Sequence, residues 1–227
     1  VHEWIARVMP LPVPATAADG SPARELARFR IRIVSPQSRP GGRTGGGGHD
    51  VVDVGPVRVI ALDTANPSGG VGGSLSSEQA RWLVTELERS RERYVVVATH
   101  DSSLTMTSDR LAPGEPPRVL GAETASLLLA HDCVVCWIAG TMHHRGGRRH
   151  GDPSSPGHGF WELPGSVDGR DSPLAGGVSV LRRDDRPTIV LQGALAAGHG
   201  PRWELGDPFG TDRPRIPDHL RDRPVDL

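Results

Sequence analysis

Two short apolar runs constrain this chain more than any other feature: Val95-Val96-Val97-Ala98-Thr99-His100-Asp101 and Val134-Val135-Cys136-Trp137-Ile138-Ala139-Gly140-Thr141-Met142-His143. Each is too short for a buried helix and too continuous for a half-exposed strand, so each reads as a strand covered on both faces. Each ends in small or polar residues and then a histidine. Adjacent strands that stop this way aim two imidazoles at one rim, where the following loops meet solvent and carry function.

The surrounding pattern supports an α/β layering. Val57 to Leu62 is another β-branched run, ending in Asp63-Thr64-Ala65-Asn66-Pro67 and a glycine-rich loop. Ser76-Ser77-Glu78-Gln79 then has capping-box spacing. Ala80, Leu83, Val84 and Leu87 follow at helical spacing, which places Arg81, Glu86, Glu88 and Arg89 on the solvated side. A second helix is expected over Gly121 to Ala130. After the second histidine come a Gly/Arg-rich loop from Arg145 to Pro156, then Gly159-Phe160-Trp161-Glu162-Leu163. A hairpin follows, made of Gly177 to Leu181 and Thr188 to Leu191.

The two ends are weakly specified. The chain has 29 glycines and 21 prolines among 227 residues, so much of it must be turn and loop. Residues 1–50 read as an irregular Gly/Pro-rich segment with an extended start at Pro10, Pro12 and Pro14, and Arg24 to Val34 as a short helix running into a strand. Residues 51–197 form the body, and 198–227 a Pro/Arg-rich tail lying over the surface or disordered. The run Gly45 to Gly48 is not a phosphate-binding loop, because no Gly-Lys-Ser/Thr follows and no helix opens after it.

Several function classes are set aside on the same evidence. A net charge of −1 gives no general case for nucleic acid or an anionic membrane. No apolar run reaches the ~20 residues of a membrane helix, and no signal peptide is visible, so the expected location is cytoplasmic. Cys133 and Cys136 have C-x-x-C spacing, but in a strand residues three apart point to opposite faces, which favours buried thiols over a metal or redox pair. Ser102 and Ser103 lie near a histidine without the Gly-x-Ser-x-Gly elbow of a serine hydrolase. His49-Asp50 is isolated. His144, His150 and His158 read as solvated loop residues, and Trp82, Trp137 and Trp161 as core.

Leu62-Asp63-Thr64-Ala65-Asn66-Pro67, Val95 to His100, Gly140-Thr141-Met142-His143 and Gly159-Phe160-Trp161-Glu162 stand in an order and spacing that resembles the calcineurin-like metallophosphoesterases, in particular a bacterial branch. The likeness covers roughly residues 51–195. It implies the C-terminal half of a four-layer α/β/β/α sandwich, with the strands from Phe160 onward forming its antiparallel part. It also implies a hydrolase of phosphomono- or diesters in which two divalent metals about 3.5–4 Å apart activate a water.

The family draws its ligands from five places: an Asp-x-His, a Gly-Asp, a Gly-Asn-His, a lone His and a Gly-His-x-His. Only the last two have counterparts. The resemblance makes His100 and His143 metal ligands, with Thr141 where a further histidine would stand. For both, a hydrogen-bonded strand-end histidine is the alternative. Asp63, Asn66, Asp101 and Thr141 are candidates to orient the ligands, and Arg145, Arg148 and Arg149 to form an anion-binding lip. Asp63 and Asn66 also suit plain turn-making. The expectation is a degenerate or truncated phosphoesterase domain, needing Mn, Fe or Zn if active and no cofactor otherwise. The alternative is a non-catalytic domain that binds an anion or a partner. Half of such a sandwich leaves a sheet edge uncovered, so self-association or a partner chain is expected there.

Overall fold

The computed structural model describes residues 48–65, 72–109, 116–140, 148–151 and 159–164. It also describes the strand backbones Ile5–Pro10, Glu25–Val34, Val178–Arg183, Arg186–Gln192 and Arg202–Glu204. In chain order the strands are β1 (Ile5–Pro10), β2 (Glu25–Val34), β3 (Asp50–Val54), β4 (Val57–Ala61), β5 (Leu75–Ser76), β6 (Tyr94–Thr99), β7 (Arg118–Val119), β8 (Val134–Ala139), β9 (Arg148–His150), β10 (Phe160–Pro164), β11 (Val178–Arg183), β12 (Arg186–Gln192) and β13 (Arg202–Glu204). The helices are α1 (Ser77–Arg89) and α2 (Gly121–Leu129).

Six strands form one sheet in the order β3-β4-β6-β8-β10-β9. Its four central strands are parallel, and the edge strands β3 and β9 run antiparallel to their neighbours. The centre is apolar on both faces, as a doubly covered sheet requires. Ile60, Leu62, Val95, Val97, Val134, Trp137 and Phe160 pack in one cluster with Leu83 and Leu87 of α1 and Ala125 and Leu128 of α2. On the opposite face Val57, Val59, Tyr94, Val96, Ala98, Cys136 and Ile138 are equally buried. There β1 runs against β4 and β6. It belongs to a second, antiparallel sheet of order β1-β2-β11-β12-β13. Helices, mixed sheet and antiparallel sheet thus stack as three layers of an α/β/β/α sandwich.

The structure corrects several expectations. Glu25 to Val34 is strand throughout: pairing with β11 overrides the local helical preference of Glu-Leu-Ala-Arg, and β1 pairs with the remainder from Phe29 to Val34. The segment read as irregular, 1–50, therefore supplies two strands, and the tail supplies β13, paired with β12. The strand at Phe160 is not in the antiparallel part. It lies parallel to β8, while β11 to β13 do join the antiparallel sheet. Glu86 is buried rather than solvated, held between Arg89 at 2.8 Å and Arg58 at 3.6 Å.

β8 carries a bulge, and Cys133 stands just before the strand. Val95 pairs with Val134 but Val96 with Cys136, so Val134 and Trp137 share the helix-side face despite their odd spacing. Cys133 joins the helix-side core, its Sγ 3.7 Å from the Leu87 carbonyl, whereas Cys136 lies on the other face. Both thiols are free and buried, and burial pushes the Cys136 thiol far above its ordinary value.

Candidate functional site

The parallel strands end on one rim, the usual place for a site in an open α/β sheet. Asp63 follows β4 and His100 follows β6, on neighbouring strands. The main chain of Asp63 is clamped by Gln79: its N–H donates to Oε1 at 2.8 Å, and its carbonyl accepts from Nε2 at 2.7 Å. Gln79 therefore completes only half of the expected capping box. Ser76 does accept from the Gln79 N–H at 3.1 Å, but the glutamine side chain ties the helix to the strand end instead of turning back.

The next strand end is tied by Thr64. Its hydroxyl donates to Asp101 Oδ2 at 2.9 Å and accepts from the Asp101 N–H at 3.0 Å. The Thr99 hydroxyl donates to the Asp101 carbonyl at 2.5 Å and accepts from the buried Trp137 indole at 2.7 Å. Asp101 Oδ2 then lies 3.4 Å from His100 Nδ1. A carboxylate beside one ring nitrogen orients the ring, the common support for a metal-binding histidine. Gly73 permits this packing, because a Cβ there would stand 2.3 Å from Asp101 Oδ2.

Burial pushes the Asp63 carboxyl above the usual carboxylate range. The N–H of Ala65, the charge of Arg118, the N–H of Gly48 and the nearby His49 offset this only in part. His49 reaches this position because Asp50 pairs with Ala61, which carries the residues before β3 to the end of β4. Its ring lies 4.1 Å from that of Trp82. Sequence reasoning set His49 aside as isolated. The turn at Gly55-Pro56 was the available signal, since counting back along the hairpin places His49 opposite Leu62.

A second polar cluster was also missed. Glu162 on β10 is 0% exposed, yet its carboxylate accepts three short hydrogen bonds. These come from the Ser103 N–H to Oε1, from the Ser103 hydroxyl to Oε2 and from His150 Nε2 to Oε2, each at 2.6 Å. Burial acts to raise its pKa, but the bonds from His150 and Ser103 outweigh it and hold the carboxyl below its ordinary value. His150 is thus no solvated loop residue: it sits on β9, its side chain 10% exposed and stacked on Phe160 with ring centres 4.8 Å apart. Arg148 and Arg149 precede it, both exposed.

Of the residues singled out from sequence, His100, Asp63 and Asp101 stand on the rim, and Arg148 and Arg149 on the edge strand. Asn66, Thr141, His143 and Arg145 lie outside the described residues. Among the described residues no group of three His, Cys, Asp or Glu side chains could hold a metal. The support behind His100 fits a divalent cation, but among the described residues the donor set does not close around it. No helix among them is long and apolar enough to cross a membrane.

No family model matches the sequence. A curated 3′,5′-cyclic adenosine monophosphate phosphodiesterase, CpdA of Pseudomonas aeruginosa, is 31% identical over 140 residues, 60% of this chain and 50% of that protein. The chain thus spans about half the length of the curated relative it matches. A crystal structure of a dimetal phosphatase from Danio rerio aligns with a TM-score of 0.45 at 17% identity, covering 71% of this chain and 61% of that one. Its rim motifs and its curated relative make the chain similar to the metallophosphoesterases.

Proposed function

We propose that this chain is a phosphoester-hydrolase domain whose cation-binding rim holds only part of the family's ligands. His100 and His143 would each hold a divalent metal. Asp101 orients His100, and Asp63 stands by as a carboxylate on the neighbouring strand end. When bound, such a metal pair neutralises phosphoryl oxygens and makes a water acidic enough to attack. The observation that carries this reading is the chain of contacts Thr64–Asp101–His100, which fixes an imidazole at the end of β6. Neither Asp-x-His nor Gly-Asn-His occurs in residues 1–227, the Gly-Asp pairs at Gly151-Asp152 and Gly206-Asp207 come after the two histidine motifs instead of before them, and two imidazoles bind a metal weakly. The proposed consequence is weak or absent turnover by these residues alone. Phosphomono- and diesters are the proposed substrate class, and the cyclic nucleotide of the curated relative is one diester to try.

Exposed Arg148 and Arg149 favour a second reading, a non-catalytic domain that binds an anion or a partner. Elemental analysis of the purified chain, with Mn²⁺-dependent hydrolysis of a chromogenic phosphodiester, separates the two. The degenerate-hydrolase reading expects well under one metal per chain, and a trace of hydrolysis lost in His143→Ala. Two equivalents with robust turnover would overturn the degeneracy. No turnover at saturating Mn²⁺, with phosphate binding lost in Arg148→Ala/Arg149→Ala, would establish the second reading.

A further inference from the structure

The Ser103–Glu162–His150 cluster has no part in the chemistry above, yet its geometry is costly to build. A buried carboxylate is tolerated only when its oxygens are well bonded. Here Oε2 takes two donors and Oε1 a third, all at 2.6 Å. The donors come from two segments far apart in sequence. Ser103 lies in the loop that leaves His100. It is pressed from the other side by the start of α2, where a Cβ on Gly121 would stand 2.0 Å from the Ser103 carbonyl oxygen. The loop is also cross-bonded internally, Ser102 N–H to Thr105 Oγ1 at 2.8 Å and Met106 N–H to the Ser102 carbonyl at 2.9 Å. His150 lies on the edge strand that the chain enters directly after the segment carrying His143.

We propose that Glu162 is a positioning residue for the rim: one buried carboxylate that fixes both the loop behind His100 and the strand that ends the His143 segment. The inference deepens the reading of His100 and His143 as one site and rests on it for its purpose. The mechanical claim stands on the hydrogen bonds alone. Charge is essential to it. An ionised carboxylate accepts from both sides at once, whereas a glutamine at this position presents one acceptor and one NH₂ donor. Glu162→Gln therefore sets its NH₂ group against the Ser103 main-chain N–H in one orientation, and against the Ser103 hydroxyl and His150 Nε2 in the other.

The test uses the full chain without metal or substrate, with histidine rings labelled in ¹³C and ¹⁵N. In Glu162→Gln the ring signals of His150 and His100 both shift or broaden. In Ser103→Ala those of His100 move, while those of His150 move less. Leu87→Ala, which weakens the helix-side core away from the cluster, leaves both in place. Unchanged His100 signals in Ser103→Ala and in Glu162→Gln would overturn the proposal, as would an equal displacement in Leu87→Ala. If Glu162→Gln does not fold, Ser103→Ala against Leu87→Ala decides. Because no metal or ester is present, failure here is distinct from failure of the hydrolase reading.

Discussion

Asp63 and Glu162 are two carboxylates of one sheet driven in opposite directions by their surroundings. Asp63 is raised by burial, so its ionised form costs stability near neutrality, and that cost is relieved as pH falls through its folded pKa. Glu162 is lowered, so its contribution is present above the ordinary carboxylate pKa and is lost as pH falls through its depressed value. Asp63→Asn is predicted to raise stability at pH 7. Glu162→Gln should lower it by roughly 1–3 kcal/mol, with a flatter acid limb. Urea titrations at a series of pH values check both signs. Gly73 is a third residue-scale case: Gly73→Ala forces a methyl onto Asp101 Oδ2 and the Thr64 carbonyl oxygen. It should cost about 1–3 kcal/mol by chemical denaturation.

At the scale of elements, the central strands were legible because a doubly covered strand must be apolar throughout, as Tyr94 to Thr99 and Val134 to Ala139 are. Helix α1 was legible from its serine cap and the spacing of Ala80, Leu83 and Leu87. Other features depend on partners distant in sequence. The strand character of Glu25 to Ala27 comes from its pairing with β11, more than 150 residues on in the sequence. β9 is a short charged stretch that exists only by pairing with β10. The half-made capping box depends on Asp63, which no local pattern ties to Gln79. On the rim, His100 and Asp101 could be found because each ends an apolar run. His49, His150 and Glu162 could not be assigned without registers. Gln79→Ala cuts both clamps on the Asp63 main chain and is predicted to lower stability by about 1–3 kcal/mol, read from the denaturation midpoint.

For the whole molecule, two sheets face each other across a core that includes Cys136, with helices behind one of them. The two cysteines report on that core from its two sides. Both should resist a thiol reagent in the native state and react together only on global unfolding, a prediction that stopped-flow labelling in rising urea checks. The six-stranded sheet ends in β3, which bears exposed Asp50 and Asp53, and in β9, which bears exposed Arg148 and Arg149. Charge on an edge opposes indiscriminate strand pairing. A partner or second copy at either edge remains a proposal. The central claim concerns the opposite ends of the strands, where β4 and β6 present Asp63 and His100 to a cation. Histidine-ring NMR during addition of Mn²⁺ to the metal-free chain tests it most directly. The account predicts paramagnetic broadening of the His100 and His143 signals ahead of His150, and its loss for His143 in His100→Ala if the two imidazoles act as one site. Uniform broadening of every histidine, with His100 no more sensitive than the rest, would contradict it.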